Sequence, residues 1–413
     1  MNSRERILAA CNGQPSDHVP LTTWCFGFQP PPHLRWQRNG REVRLWYSKR
    51  LEHIHTLPQP WELEDDFQRV LAWRALGVDD LLEVSVPWSM DPEVTWQDSR
   101  LPAGTAHSDP VLVREYHTPS GTLRHAVRQT ALHQEEPGEG WVVQPDYVAL
   151  FEDLNIPRAI EQAVHRPSDI AMVKHLYKAP DNEGRDWFAS RMQAVSHFAS
   201  ENGVAVQAWP AFGIDAVVWL AGAEGAVLSA MEYPEAFQRL VETVAEADYG
   251  RTELAAAHPA VDIIVQRGWY ASTNFWSPRL FNKYMYPHIK TLASLAHQHG
   301  KKYAYVMTTG VEAFGPLLAE AGVDILYFVD PVQDRITLER ARELLGDRMT
   351  LVGGINSLSL ASGDRQRIRW EVQQAIRVLG PTHRFILHPV DALFPDTPWS
   401  GVEAMIEAWQ ETR

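Results

Sequence analysis

Hydrophobic positions along the chain alternate between short apolar runs and longer stretches with helical spacing. Val19–Trp24 (VPLTTW) is β-branched, bounded by proline, and reads as a strand. Leu63, Phe67, Val70, Leu71 and Ala75 recur at helical spacing and predict a helix over Trp61–Leu76. Gly77 closes that helix, and Asp79–Val86 follows as a strand. Further short apolar runs lie at Val204–Trp209, Asp262–Gln266, Lys302–Met307, Val323–Val329, Met349–Val352 and Arg384–Leu387. Between them, helical patterns cover Pro234–Ala257, Glu312–Ala321, Leu338–Leu345 and Arg365–Leu379. Ser277-Pro278 opens another helix that runs to Gly300 with a kink expected at Pro287. Shorter helices are expected at Arg4–Cys11, Ala159–Val164 and Asp186–Ala199. Pro389 is expected to stop the last strand at Leu387, leaving His388 and Asp391 in a turn. Thr397, as N-cap, and Pro398, at the first helical position, then open a final helix.

Eight strands alternating with helices predict an α/β fold, a closed (β/α)8 TIM barrel. The main departure is an insertion over about residues 94–150, after the second strand. Within it, Leu112–Tyr116 and Gly121–Leu132 alternate around the turn TPSG and predict a β-hairpin. The whole chain, 1–413, is read as a single barrel domain.

Composition narrows the function classes. A net charge of −14 disfavours nucleic acid and anionic membrane as partners. The two cysteines, Cys11 and Cys25, make no disulfide framework and point to a reducing, cytoplasmic compartment. The first apolar run carries charges, unlike a signal peptide, and no stretch reaches the roughly 18 uncharged apolar residues of a membrane span. Arg35, Arg38, Arg41, Arg44, Lys49 and Arg50 cluster within Arg35–Arg50; this reads as a solvated helix face in preference to a carboxylate site. The unusual count is 16 Trp, a residue suited both to core and to pocket walls.

In a barrel, residues at the carboxyl ends of the strands share one mouth. Asp391, His388, Asp330 and Tyr305 are the candidate catalytic groups. Trp24, Glu83, Gln207, Trp209 and Gln266 are candidate substrate contacts, with Trp269, Tyr270, Thr308 and Asn356 completing the set. His388 and Asp391, joined by Asp330, form a weak metal-ligand pattern, and no metal is expected. Val352-Gly353-Gly354-Ile355 follows a strand but lacks the glycine spacing of a dinucleotide site.

The order of motifs resembles the uroporphyrinogen decarboxylase superfamily, which includes that decarboxylase and zinc-dependent methylcobamide:thiol methyltransferases. The matching pieces are RILAACNGQPSDHVPL, HTPSGTLRHAVRQT, YPEAFQRLVETV, SPRLF, YPHIK, LLAEAGVD, VGGIN and FILHPVDALFPDTPWSGVEAMIEA. The resemblance implies a barrel with its site at the strand ends. It places Asp391 where relatives carry a catalytic His or a zinc-binding Cys. It also marks departures. Where the decarboxylase has an arginine-rich segment that binds substrate carboxylates, this chain reads CFGFQPPP. The catalytic Asp expected after the second strand is absent from VSVPWS, with Glu83 the nearest acid. The His-x-Cys of the methyltransferases is replaced by Val306-Met307-Thr308, and Cys11 and Cys25 lie too early in the chain to substitute. The expectation is therefore a cofactor-independent decarboxylase, a lyase acting on a small aromatic or planar carboxylic acid. The alternative is a methyltransferase linked to a corrinoid protein or to folate, with zinc or corrinoid as its cofactor. A third reading is a non-catalytic ligand-binding barrel. A homodimer is the assembly the resemblance implies.

Overall fold

Seven of the expected strands pair in one curled parallel sheet in the computed structural model. It describes residues 1–25, 28, 36–38, 41–43, 63–105, 107–129, 147–394 and 396–413. The strands in chain order are β1 (Trp36–Arg38), β2 (Arg41–Val43), β3 (Leu82–Ser85), β4 (Thr95–Leu101), β5 (Val111–Thr118), β6 (Gly121–Arg128), β7 (Ala159–Glu161), β8 (Val206–Ala211), β9 (Ile263–Gln266), β10 (Lys302–Val306), β11 (Ile325–Val329), β12 (Thr350–Asn356) and β13 (Phe385–Val390). The parallel sheet runs β13-β12-β11-β10-β9-β8-β3, so chain order and spatial order agree from β3 to β13. Between β3 and β8 the chain forms a separate antiparallel sheet, β4-β5-β6-β7. The predicted hairpin is its centre, β5 against β6, closed by Thr118 opposite Gly121.

The eighth predicted strand, Val19–Trp24, is not a regular strand. It is an extended segment lying between the two edge strands. Leu387 N–H donates to the Pro20 carbonyl (2.9 Å), Thr22 N–H to the Leu387 carbonyl (3.0 Å), and Asp79 N–H to the Leu21 carbonyl (2.8 Å). Pro20 brings no N–H, and only isolated parallel bridges form, Leu21 to Leu387 and Cys25 to Leu393. The regular sheet is therefore open, with this segment seated at its seam.

Side chains alternate across the sheet. Val265, Ala304, Val306, Ile325, Val352 and Ile386 point to the concave interior. Ile264, Tyr303, Tyr305, Leu326, Leu351 and Phe385 face the helical layer. Ile7, Ala10 and Cys11 of the first helix, Ser3–Cys11, join the interior cluster. Asn2 caps that helix, and Arg6 is tied to Asp79 and Asp17. That end of the sheet carries the amino ends of the strands and is plugged; the opposite end is left for a site.

Other elements depart from expectation for local reasons. Ala159–Val164 was expected as a helix, but Ala159–Glu161 adds to the free edge of β6 as β7. The final strand passes Pro389 and ends at Val390. It is tolerated because β13 is the edge strand of the regular sheet, so the missing N–H breaks no full ladder. The final helix is Trp399–Thr412, with Pro398 as the cap residue and no side-chain cap; Thr397 instead accepts from Phe394 N–H (3.0 Å). The Pro287 helix breaks at Met285 into Pro278–Tyr284 and Tyr286–Gln298. Two apolar helices, Ile214–Ala221 and Ala223–Glu232, had no counterpart in the sequence reading. In the basic stretch 35–50, the described residues pair as β1 and β2 and do not form the expected helix; the rest of it lies outside the described residues. Both cysteines are free and buried. No single helix among the described residues is long and apolar enough to cross a membrane.

The VGGIN segment also finds its reason in the sheet. Gly353 lies at φ +143°, and a Cβ there would sit 2.5 Å from the Val329 carbonyl oxygen. The register between β11 and β12 shifts at this point, between Tyr327 and Val329. The glycine lets two backbones approach.

Candidate active site

A cavity of about 370 Å³ opens at the carboxyl ends of the strands. Its aromatic walls are Trp24, Trp269, Tyr270, Phe275 and Phe394, and its polar groups include Asp153, Arg267, Thr308 and Asp391. Five residues expected from sequence thus meet here: Trp24, Trp269, Tyr270, Thr308 and Asp391.

Asp391 follows the end of β13. Its backbone N–H donates to Ser357 Oγ (3.0 Å), and Ser357 donates in turn to the Val390 carbonyl, which pins the turn. One carboxylate oxygen accepts from the Trp269 indole N–H (3.3 Å). Among the described residues Asp391 has no ion-pair partner. Burial pushes its carboxyl up to about 6, against the pull of the Trp269 hydrogen bond and of Arg267; Asp153 adds to the rise.

Arg267 directly follows β9 and is buried. Its Nε lies 3.3 Å from Asp215 and one Nη lies 3.1 Å from Asp153. Its guanidinium is stacked over Trp219 (4.7 Å) and Trp269 (4.3 Å). Asp215 also accepts from the backbone N–H groups of Trp269 (3.3 Å) and Tyr270 (3.0 Å). Tyr270 O–H (3.0 Å) and Trp219 N–H (2.6 Å) donate to Asp153. This network fixes the loop that carries Trp269 and Tyr270. Gly268 permits it, because a Cβ there would meet Tyr305 and the Val306 carbonyl at 2.6 Å. Asp153 and Asp215 were not among the expected site residues. Arg267 had a readable signal, its place one residue beyond a strand; Asp153 and Asp215 sit in segments whose structure was not read.

Beneath the cavity the indoles of Trp24, Trp209 and Trp269 cluster. Trp24 stacks on Trp209 at 5.2 Å and on Trp269 at 5.3 Å. Glu83 of β3 accepts from Trp24 N–H (2.9 Å) and from the Gln207 amide of β8 (2.7 Å). Gln207 accepts from Tyr327 O–H (3.2 Å). Burial raises the Glu83 carboxyl to about 7, with Arg69 opposing and Asp66 adding. Glu83, Gln207, Trp209 and His388 line a smaller cavity of about 10 Å³ on the inner side of Trp24. They do not line the large cavity.

His388 lies on β13 and not in the turn. It stacks on Phe328 at 5.4 Å, its Nδ1 bonds Thr22 Oγ1 (2.8 Å), and its Nε2 is buried with no hydrogen-bond partner among the described residues. Burial pulls its pKa down to about 3, so the ring is neutral. Asp330 is fully buried. It accepts from Val332 N–H (2.8 Å) and the Asn356 amide (2.7 Å), while Asn356 also caps Ser357–Ser362. Asp330 and Asn356 thus hold a turn and do not line the cavity. Tyr305 and Gln266 face the helical layer, where Tyr303 donates to Gln266. The side-chain parity of β9 and β10 turns both away from the interior, correcting the expectation for them.

Cys25, expected to lie too early in the chain, does line the cavity, brought there by the seam segment. Burial raises its thiol well above the ordinary range, so it is no ready thiolate. His388 and Asp391 line different cavities, and among the described residues no three His, Cys, Asp or Glu side chains are grouped to hold a metal ion. The donor set does not fit a thiolate zinc site.

Over its whole length the chain resembles a methyltransferase from Methanosarcina mazei, with 17% identity, a TM-score of 0.56, and coverage of 100% of this chain and 99% of that one. A protein described as a fructose-1,6-biphosphate aldolase of Coccidioides immitis aligns with 53% of the chain and 82% of its own at 13% identity, with a TM-score of 0.25. No curated protein matches. The model of the family described as uroporphyrinogen decarboxylase (URO-D) matches residues 193–412, more than half the chain and every strand from β8 to β13. The chain belongs to the uroporphyrinogen decarboxylase (URO-D) family.

Proposed function

We propose that the chain is a decarboxylase-like lyase acting on a small aromatic or planar carboxylic acid, with Asp391 as the proton donor. The observation that carries this reading is the Asp391 carboxyl, raised to about 6, facing a cavity walled by aromatic rings. An acid held near neutrality is suited to protonate a carbon that is losing carboxylate. The bond from that carbon to the carboxylate breaks, its electron pair stays on the carbon, and the proton comes from Asp391. Carbon dioxide leaves, and Asp391 regains a proton from solvent. Trp24 and Trp269 provide flat walls for a planar substrate, and Arg267 is the cationic group on the wall. The closed eight-unit barrel remains part of this reading, with the seam segment standing for the first strand, and the whole chain acts as one domain.

Asp391→Asn is expected to lower kcat/KM by about 10²–10⁴-fold without loss of fold. In the unaltered enzyme kcat/KM should decline as pH rises through about 6, because the donor form of Asp391 is lost. Carbon dioxide release from a panel of aromatic acids, measured against pH, checks both. Full activity in the Asn variant would refute the assignment.

A second reading, methyl transfer between a small methylated compound and a corrinoid protein or folate, draws support from the full-length likeness to the Methanosarcina mazei methyltransferase. Asp391 would then protonate the leaving group. Transfer of a labelled methyl group with no carbon dioxide release would favour this reading over the first.

A further inference from the structure

We propose that Glu83 is a positioning residue for Asp391, acting through the indole of Trp24. The inference rests on the reading that Asp391 is the reacting group, and it gives a role to a buried acid which that chemistry does not use.

The geometry runs in one line. Glu83 accepts from Trp24 N–H at 2.9 Å. Trp24 stacks on Trp269 at 5.3 Å with 27° between the planes. Trp269 N–H reaches Asp391 at 3.3 Å. Each contact fixes a different freedom. An indole has a single N–H, so the bond to Glu83 sets the direction in which the Trp24 ring points. The ring plane of Trp24 then limits the tilt of Trp269, and the tilt of Trp269 sets the distance of its N–H from the Asp391 carboxylate.

Trp24 needs such an anchor because of where it stands. It belongs to the extended seam segment, which is joined to the neighbouring strands by isolated bridges and not by a ladder. Glu83, by contrast, is on β3, in regular register with β8. Its other oxygen is held by Gln207 of β8, and Gln207 by Tyr327 of β11. Three strands therefore hold the carboxylate that holds the tryptophan. A buried carboxyl at this place costs stability that an apolar side chain would not, and the Trp24 bond is the return on it.

The test measures Asp391 itself, without requiring turnover. The carboxyl of Asp391 is titrated by infrared difference spectroscopy, assigned by subtracting Asp391→Asn. The charged groups that face it, Arg267 and Asp153, are left unaltered. Glu83→Ala and Trp24→Phe are compared; the second keeps an aromatic ring and deletes the N–H together with part of the stacked area. Both are expected to move the Asp391 midpoint up from about 6, because the Trp269 N–H that favours the charged carboxylate drifts away from it. The double variant should show no more than the larger single effect, because both act through one bond. In an activity assay Glu83→Ala, which leaves the cavity lining intact, should lower kcat by at least about tenfold and change KM less than about threefold. An Asp391 midpoint that stays or falls in Trp24→Phe, or additive effects in the double variant, would overturn the proposal. Should Glu83→Ala fail to fold, Trp24→Phe alone decides it. Full activity in Asp391→Asn would instead sink the proposed reaction and leave the titration result standing by itself.

Discussion

Arg267 concentrates the electrostatics of the site in one side chain. It is buried, shared by Asp153 and Asp215, and covered by two indoles. Removing it leaves two carboxylates without their cation in a low-dielectric place. Arg267→Met is expected to cost about 3–5 kcal/mol, measured by urea denaturation, with part recovered on adding Asp215→Asn. His125 offers a separate test, through pH. It is fully buried on β6, neither ring nitrogen has a hydrogen-bond partner among the described residues, and burial, aided by Arg158 and Arg114, lowers its pKa to about 4. The unfolded chain therefore takes up a proton before the folded one does. Stability from this residue is whole above about pH 6.5 and drains away as pH falls toward 4, by at most about 3 kcal/mol. His125→Phe should flatten that loss in denaturation midpoints measured from pH 7 to 4. At this scale the sequence was legible where a residue stands just beyond a strand, as Trp269, Tyr270, Thr308 and Asp391 do. It misled where parity decides: Tyr305 and Gln266 sit on strands whose alternate residues face the helices, and nothing in KYAYVM or DIIVQ says which set is inward.

Elements show a similar division. Helices Leu338–Leu345 and Arg365–Leu379 form over the residues their periodicity marks, because each buries one clear apolar face. Edges were harder to read. Pro389 looked like a stop, yet β13 runs through it, because only at the rim of a ladder is a missing N–H free of consequence. Ala159–Glu161 became a strand because β6 had an unfilled edge, a fact about the neighbour and not about the segment. The close approach of β11 and β12 yields a prediction of its own. Gly353→Ala forces a Cβ to within 2.5 Å of the Val329 oxygen in a conformation that side chains rarely adopt. It should cost at least about 2 kcal/mol in thermal or chemical unfolding. A neutral outcome would mean that the register shift beside it can relax.

The molecule as a whole is an acidic α/β protein that offers one plugged end and one open end of its sheet. The cavity at the open end, about 370 Å³, lies at the low end of the range for small-molecule sites. A tetrapyrrole bearing many carboxylates exceeds that space, and among the described lining residues only Arg267, already shared by two aspartates, carries positive charge. Incubation with uroporphyrinogen is expected to give no coproporphyrinogen, read by chromatography of the oxidised porphyrins; turnover would contradict the size argument. Family membership and strand order were legible from motif order alone. The cavity was not, because Asp153 and Cys25 reach it from opposite sides of long stretches of chain.

The seam between β13 and β3 has a consequence for how such a protein diversifies. Trp24 and Cys25 come from the segment least bound into the sheet, yet they line the cavity. Substitutions there alter the shape of the chamber while the seven ladder strands keep their register. The shape of the chamber can thus change at a joint in the chain without a change in the ladder that holds the sheet together.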